Sequence, residues 1–454
     1  MRQNFRRFKT KVENIDTSML KINVNSKVEV AQPRQMHKIA ATPSEYHESS
    51  TEPTLLYQLT NKSYVPQESH YMSPQQILAQ YSDQLTTFEQ SEILRYKKIY
   101  YWGQKLSKQN LESSTIPDSY QPRDHDHIAY RYEVLERLNS GSFGVVFAAY
   151  DYENRETVAI KMINPGPKLF RQALVEYQIS AQIKSNFSVQ SKCAFQFRNR
   201  MLIVQELLSL NLYEVIESNQ FQKLPIPFIK TFVLHSLAGL SEVHSNGAIH
   251  CDLKPENFAF DLDFKRVKLI DFGTACYKDN EMYSYIQSRF YRAPEVLLEM
   301  PFGQPMDLWG LGCIICELYS GKPLFEGNNT EEMINLIQAL IGPVPPAMLV
   351  QSKVKNEIFI QNDVKAKGLQ SIIDQNSIFD LQLLQVTQQL LQWDPNERTS
   401  AKVLLKQVQN QFEWKEATEY KIEMRDLQQE RKFKKIVDGE IVQIDMGSGR
   451  IEVK

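Results

Sequence analysis

His250-Cys251-Asp252-Leu253-Lys254-Pro255-Glu256-Asn257, with Asp271-Phe272-Gly273 a short way beyond, is the stretch around which the other motifs of this 454-residue chain make sense. Transfer of a phosphoryl group from a nucleotide asks little covalent chemistry of a protein. It asks for a carboxylate beside the attacking hydroxyl and for oxygen ligands that hold a divalent cation against the phosphates. Here Asp252 would accept the hydroxyl proton, Lys254 would lie beside the transferring phosphate, and Asn257 with Asp271 would offer magnesium the oxygen atoms it prefers. Taken singly, each is an ordinary solvated loop residue; the order of the two motifs, and their partners elsewhere, carry the reading. Cys251 stands where arginine is usual in such a motif.

Upstream, Tyr132-Glu133-Val134-Leu135-Glu136-Arg137-Leu138 has strand character and runs into Asn139-Ser140-Gly141-Ser142-Phe143-Gly144-Val145-Val146. A glycine-rich turn between strands lets backbone amides approach phosphates, because no Cβ intervenes. The expected cradle is Asn139, Gly141, Ser142, Phe143, Gly144 and Val146; Asn139 replaces the usual first glycine and tolerates left-handed backbone. Lys161 follows in the apolar run Thr157-Val158-Ala159-Ile160-Lys161, where a cation needs an anionic partner. Phosphate oxygens and a helix carboxylate would serve, and the helix predicted over 170–183 offers Glu176. Ser180, one turn on, occupies a position expected to be apolar, which predicts a loosely held helix. Met201-Leu202-Ile203-Val204-Gln205 reads as a buried strand ending in a hinge, where Glu206 and Leu208, with Ala159 alongside, would meet an adenine. Gln205 would either narrow the back of that pocket or sit as a satisfied core glutamine.

Downstream, Phe232, Leu237, Leu240 and Val243 recur at helical spacing and lead into the central loop. After Gly273 comes Tyr283-Ser284-Tyr285-Ile286-Gln287-Ser288-Arg289-Phe290-Tyr291-Arg292-Ala293-Pro294-Glu295, a segment with an anchoring end. Asp307 and Arg398 are expected as buried charges, the first bracing the loop and the second pairing with Glu295.

Lys plus Arg number 52 and Asp plus Glu 54, so no global field steers the chain onto nucleic acid or a membrane, and partners must be argued locally. No run of about 18 uninterrupted apolar residues occurs and the N-terminus has no apolar signal core, which predicts an intracellular, soluble protein of the cytoplasm, the nucleus or both. Five scattered cysteines are unlike a disulfide framework, and the lone Cys313-x-x-Cys316 pair lies in an apolar helical run, so packed core thiols are expected rather than a metal site.

Residues 1–70 are polar after a basic start at Arg2, Arg6, Arg7, Lys9 and Lys11, and cannot bury enough surface to offset their ordering entropy; a disordered tail is expected. The basic start reads as a solvated charge run, with a nuclear-import or anionic-surface patch as the alternative. Ser73-Pro74 then reads as a helix start, and Ile77, Leu78, Tyr81, Leu85 and Phe88 as one amphipathic helix. The aromatic end of the next segment, Tyr100-Tyr101-Trp102, needs a cover, and the neighbouring lobe is the simplest one. At the C-terminus a charged, helix-like stretch to Lys435 precedes what looks like a small hairpin from Glu440.

Taken together these residues resemble a eukaryotic protein kinase over 132 to about 413, and in particular the DYRK family of dual-specificity tyrosine-regulated kinases within the CMGC group. The resemblance rests on Asp126-His127-Ile128-Ala129-Tyr130-Arg131-Tyr132 before the domain, on cysteine within His-Cys-Asp, on Glu206-Leu207-Leu208-Ser209-Leu210-Asn211-Leu212-Tyr213, and on Tyr283 to Arg292. Residues 72–103 are similar to the accessory region of the class II members.

The resemblance implies an α+β, bilobal kinase fold with a small β-rich lobe and a large helical lobe. The corresponding division is a polar tail (1–70), an accessory region and DH-type box (71–131), the kinase domain (132–414) and a charged C-terminal extension (415–454). It implies ATP and Mg2+ as cofactors, phosphorylation of Ser or Thr in protein substrates by a monomer, and autophosphorylation on Tyr285. The phosphate added there would need cations, and Arg289 and Arg292 are the nearest candidates. Glu256 would accept an arginine that precedes the target residue. A catalytically silent kinase-fold scaffold, binding partners through its N-terminal region, is the alternative, and the presence of Lys161, Glu176, Asp252, Asn257 and Asp271 argues against it. Asn139, Gln205 and a short segment after Ile341 depart from the family pattern and bear on ligand response and docking.

Overall fold

The computed structural model describes residues 71–103, 120–277, 286–354 and 364–411, together with three C-terminal strands. The expected tail over 1–70, the linker over 104–119, Tyr285 and most of the charged stretch after 415 lie outside the described residues.

Helix α1 (Pro74–Tyr81) starts as its sequence demands. The Ser73 hydroxyl accepts from the Gln76 N–H while the Gln76 side chain accepts from the Ser73 N–H, with proline at the first turn. The single helix expected through Phe88 is instead broken. A 3-10 turn (Ser82–Gln84) follows, and Thr86 opens a second helix, α2 (Thr87–Glu92), through a reciprocal pair with Glu89. The apolar spacing is helical, but a capping threonine in extended conformation offers the backbone a competing set of hydrogen bonds. Ile77, Leu85, Ile93 and Ile99 pack on Tyr130, fastening the region to the segment before the kinase domain. Two of the three aromatics at its end are covered by the neighbouring lobe: Tyr101 stacks on Tyr152 at 5.0 Å, and the Tyr100 hydroxyl donates to Glu153. Trp102 turns back onto Tyr81 and donates to Gln84.

The small lobe is one antiparallel sheet of β1 (His127–Ile128), β2 (Tyr132–Ser140), β3 (Gly144–Asp151), β4 (Glu156–Ile163), β5 (Ser191–Phe197) and β6 (Arg200–Glu206), in the order β1-β2-β3-β4-β6-β5. Alternation divides β4: Val158, Ile160 and Met162 join one core with Tyr132, Phe147, Leu202 and Val204. Lys161 and Ile163 face the other side, where Ile163 meets Ala173 of helix α3 (Pro167–Gln182) and Ile203.

The large lobe contains α4 (Leu212–Ser218), α5 (Ile226–Ser245), β7 (Ala248–Ile249), β8 (Phe258–Phe260), β9 (Val267–Leu269), β10 (Cys276–Tyr277), α6 (Pro294–Leu297), α7 (Pro305–Ser320), α8 (Thr330–Ile341), α9 (Pro346–Gln351), α10 (Ile378–Leu390) and α11 (Ala401–Gln411). The β8–β9 and β7–β10 pairs are antiparallel. Phe232, Leu237, Leu240 and Val243 are buried on α5 as their spacing predicts. Helix α7 is buried along nearly its whole length, and Cys313 and Cys316 are free, buried thiols within it. The C-terminal strands β11 (Phe433–Val437), β12 (Glu440–Asp445) and β13 (Arg450–Val453) form an antiparallel meander. The hairpin expected from Glu440 is present, but Phe433-Lys434-Lys435, expected at the end of a helix-like run, are strand. β-Branched Ile436 and Val437 and a register against Ile441 favour pairing there.

Glu295 and Arg398 are fully buried and joined by two 2.7 Å hydrogen bonds, and Arg398 also donates to the carbonyls of Gln392, Trp393 and Pro305. Such a pair is costly to break from one side only, because the remaining charge is left in a dry place. Arg398→Met should therefore cost about 3–5 kcal/mol in denaturant unfolding, and Glu295→Met combined with Arg398→Met should cost less than the single change.

Candidate active site

The centre of the site is a cation shared between two lobes. By alternation Lys161 points to the face of the sheet that carries Ala159. Its ammonium lies 2.7 Å from Glu176 Oε1 on α3 and 2.7 Å from Asp271 Oδ1 of the large lobe. Burial opposes the charge on Lys161, but Asp271 and Glu176 together outweigh it and its pKa rises. Burial pushes the Glu176 carboxyl up against the pull of Lys161. Asp271 feels burial too, yet Lys161 and the Gly273 N–H hold its carboxyl down at about 2. Gly273 is required by space: a Cβ there would press on Asp271 Oδ1 at 2.8 Å and on Lys161 Nζ at 3.2 Å. Gln172, one turn before Glu176, donates from its side-chain amide to the Gly273 carbonyl, a tie between α3 and the Asp-Phe-Gly turn.

The central loop leaves β7 with Cys251 in the left-handed region (φ 71°), and Asp271 is likewise left-handed (φ 58°). Asp307 holds the first bend, accepting from the N–H groups of His250 and Cys251 at 2.9 Å each and contacting His244 at 2.9 Å. Asp252 Oδ1 accepts from the N–H and hydroxyl of Ser288 at 2.9 and 2.8 Å, and Oδ2 lies 3.3 Å from Lys254. Asn257 donates to the Asp252 carbonyl at 2.7 Å, and its own carbonyl accepts from the Ile270 N–H at 2.9 Å, which places Asp271 beside this loop. The β8–β9 pairing sets that approach, with Phe258 opposite Leu269.

The glycine-rich turn closes on itself, Gly141 and Gly144 exchanging backbone hydrogen bonds. A Cβ at Gly144 would run into the Met162 carbonyl. Asn139 pairs with Val146 across the hairpin, and its side chain accepts from the Ser140 N–H. Ser142 and Phe143 are tied through their carbonyls to Asn164, whose side chain donates at 3.1 Å and whose N–H donates at 2.8 Å. At the hinge, Ala159 pairs with Gln205, and the Glu206 carboxylate is held by Lys268 at 2.7 and 2.8 Å. That leaves backbone groups of Glu206 and Leu208 as the hinge's means of meeting a base. Gln205 is half-buried, and its amide nitrogen donates to Ser191 Oγ at 3.1 Å. Ser180 is buried and lies 2.7 Å from the same oxygen, so the helix expected to be loosely held is tied there.

The chain matches the protein kinase domain family over residues 132–409. It is 36% identical over 345 residues to serine/threonine-protein kinase ppk5 of Schizosaccharomyces pombe, covering 69% of this chain and 41% of that one. It is 38% identical over 343 residues to the DYRK-family kinase pom1 of the same yeast, covering 69% and 32% respectively. With human dual specificity tyrosine-phosphorylation-regulated kinase 4 it shares 36% over 353 residues, 72% of this chain and 68% of that one. This chain is a protein kinase of the DYRK family. It spans less than half the length of the two yeast relatives.

In this kinase the activation segment is described from Ile286 onward. Arg292 is buried and donates to the carbonyls of Ile286 and Gln287 at 3.0 and 2.8 Å, gripping the backbone just after Tyr285. Gln287, left-handed at φ 64°, accepts from the Ala293 N–H. Glu256 Oε2 is buried and has no hydrogen-bond partner among the described residues, and burial raises its pKa. Lys161, Glu176, Asp252, Lys254, Asn257 and Asp271 are therefore brought together. Arg292 supports the segment, and Arg289 starts its 3-10 turn. Sequence reasoning missed Gln172, Asn164, Ser288 and Lys268, whose types carry no motif of their own.

The donors around Asp271 and Asn257 fit a hard divalent cation. Asp271 is ionised, its Oδ2 is free of the Lys161 contact, and Asn257 uses its amide nitrogen on Asp252, keeping its amide oxygen for another partner. Oxygen-only donors of this kind suit that ion.

Tyr291 donates to Glu317 at 2.8 Å beneath the segment, and burial lifts the Glu317 carboxyl to about 7 against that hydrogen bond. A carboxyl raised in the folded state is bound to its proton there and not in the unfolded chain between about pH 4.5 and 7, so its contribution falls as pH rises through that window. Glu317→Gln keeps the acceptor and removes the titration. Its melting temperature relative to wild type should rise by about 3 °C or more between pH 5 and pH 8, read by thermal denaturation.

Proposed function

We propose that this kinase transfers the γ-phosphate of ATP, with Mg2+, to Ser or Thr hydroxyls of protein substrates, and phosphorylates its own Tyr285. The observation that carries the reading is the convergence of Lys161, Glu176 and Asp271 from two lobes beside a catalytic loop whose Asp252 is already oriented. Lys161, fixed by Glu176, presents its ammonium to the phosphates. When bound, magnesium, which Asp271 and Asn257 would hold, would neutralise charge that builds on the phosphates. Asp252 takes the proton of the attacking hydroxyl, and Lys254, whose pKa is raised by Asp252 and Glu256 against burial, lies beside the transferring group. Ser288 keeps the Asp252 carboxylate turned toward the acceptor rather than toward bulk water. The Glu256 oxygen, unpaired among the described residues, supports recognition of a cationic substrate residue. A silent scaffold would not need these groups in this arrangement.

The segment after Tyr285 supports the autophosphorylation. Arg292 is already spent on backbone carbonyls, so Arg289 is the better partner for a phosphate there, and Arg292 fixes the backbone that presents it. Asp252→Asn should lower peptide phosphorylation by about 10²–10⁴-fold while the melting curve is kept, and unchanged turnover would remove the mechanism. Protein made in bacteria should carry phosphate on Tyr285 in the mass spectrum of its activation-segment peptide; active protein with a bare tyrosine would exclude self-modification as the route.

A further inference from the structure

We infer that Gln205, Ser191 and Ser180 form a polar relay that positions the Glu176 helix against the back of the nucleotide cleft, so that binding there and the setting of α3 are coupled. The inference rests on the ATP reading of the cleft.

Three side chains from three elements make the chain. Gln205, at the end of β6, donates from its amide nitrogen to Ser191 Oγ at 3.1 Å. Ser191 Oγ lies 2.7 Å from Ser180 Oγ, and Ser180 Oγ lies 3.3 Å from the Tyr177 carbonyl of its own helix. A carbonyl only accepts, and the amide nitrogen only donates, so the protons run one way: Gln205 to Ser191, Ser191 to Ser180, Ser180 to Tyr177. Each hydroxyl is satisfied on both sides only while its two neighbours are in place.

The backbone is shaped to allow this. Ser191 pairs with Gln205 and Cys193 with Val204, so residue 192 is an extra residue at a bulge. Without it Ser191 would share a face with Cys193, which packs against the Tyr132–Phe147 core. The bulge turns Ser191 to the face that carries Gln205 and, across β4, Ala159 and Lys161. Ser180 is 1% exposed and stands one helical turn after Glu176, on the same side of α3. An apolar contact between helix and sheet tolerates sliding; a directional 2.7 Å hydroxyl pair, buried on the Ser180 side, does not. The relay thus ties the position of Glu176, and through it Lys161, to the residue that walls the cleft at its hinge end. Gln205, Ser191 and Ser180 are positioning residues in this scheme, acting through the Lys161–Glu176 pair.

The test uses the full chain and two near-isosteric cuts, Gln205→Met and Ser180→Ala, alone and combined. Amide exchange of residues 170–183 is followed with and without Mg-ADP, alongside the ADP dissociation constant. Each single change should speed exchange in that helix by about threefold or more, and should weaken ADP binding by a similar factor. The double variant should be no worse than the worse single one, since a chain cut at one end is as broken as a chain cut at both. Ser180→Thr, which keeps the hydroxyl, should restore slow exchange. Additive effects, or exchange in 170–183 that ignores both cuts, would overturn the relay while leaving the ATP reading intact, because ADP would still bind. Absence of ADP binding to the wild-type chain would overturn both.

Discussion

One buried ammonium governs the geometry of this molecule. Lys161 is buried in the apolar run Val158–Ile163 of β4, and a cation moved from water to such a place is tolerated only with partners close by. It has two, at 2.7 Å each, from segments 15 and 110 residues away in sequence. To satisfy it the chain must dock α3 on the sheet and bring the Asp-Phe-Gly turn of the large lobe under both. Two carboxylates around one ammonium leave excess negative charge, and the pair divides that burden unequally. Asp271 keeps its charge, held at about 2, and Glu176, in the drier position, is the one pushed up. The carboxyl held down is thus the one on the side of the Asp252 loop.

The same site stores backbone strain. Cys251 and Asp271 both carry side chains in the left-handed region, a conformation that costs of order 1–3 kcal/mol per residue and persists only when its surroundings over-determine it. Asp307 does this for Cys251 by accepting two consecutive N–H groups, and Lys161 with the Gly273 N–H does it for Asp271. Asp307 sits in α7, the most buried helix, so the strain at the loop is held by the core of the large lobe. Glu295 and Arg398 anchor the far end of the activation segment to the same region.

What was legible in the sequence follows from this division of labour. Lys161, Glu176, Asp252, Asn257 and Asp271 were readable because phosphoryl transfer restricts each position to one or two residue types and the loop fixes their spacing. Asp307, Glu295 and Arg398 were readable because buried charges are rare. Gln172, Asn164 and Lys268 were not, since an amide or a lysine that ties two backbones together is defined only by the tertiary approach it bridges. Ser180 was misjudged for a related reason: its partner lies eleven residues on, turned toward it by a bulge that no local pattern announces. The break at Ser82–Gln84 escaped because apolar spacing and capping chemistry pointed to different structures, and capping won.

The accessory region shows how a segment without catalytic residues becomes part of the enzyme. Arg198, in the β5–β6 turn, is buried with Glu92 at 2.9 Å and Glu89 at 3.4 Å from the accessory helices. Glu89, Asp126 and His127 converge there as a metal site would, yet the Arg198 guanidinium reaches His127 at 3.2 Å and supplies the cation itself. Burial alone would lower the charge on Arg198, and the anions around it hold it up. Two residues on, Arg200 donates to the Tyr120 carbonyl at 3.3 Å and contacts Asn164 at 3.4 Å, the residue that ties down the glycine-rich turn. A hydrogen-bonded route therefore runs from the segment before the domain to the glycine-rich turn. Removing the accessory helices would strip Arg198 of Glu89 and Glu92, beside the strand that begins at Arg200, so the loss would reach the residues that tie down the glycine-rich turn and not only the edge of the fold.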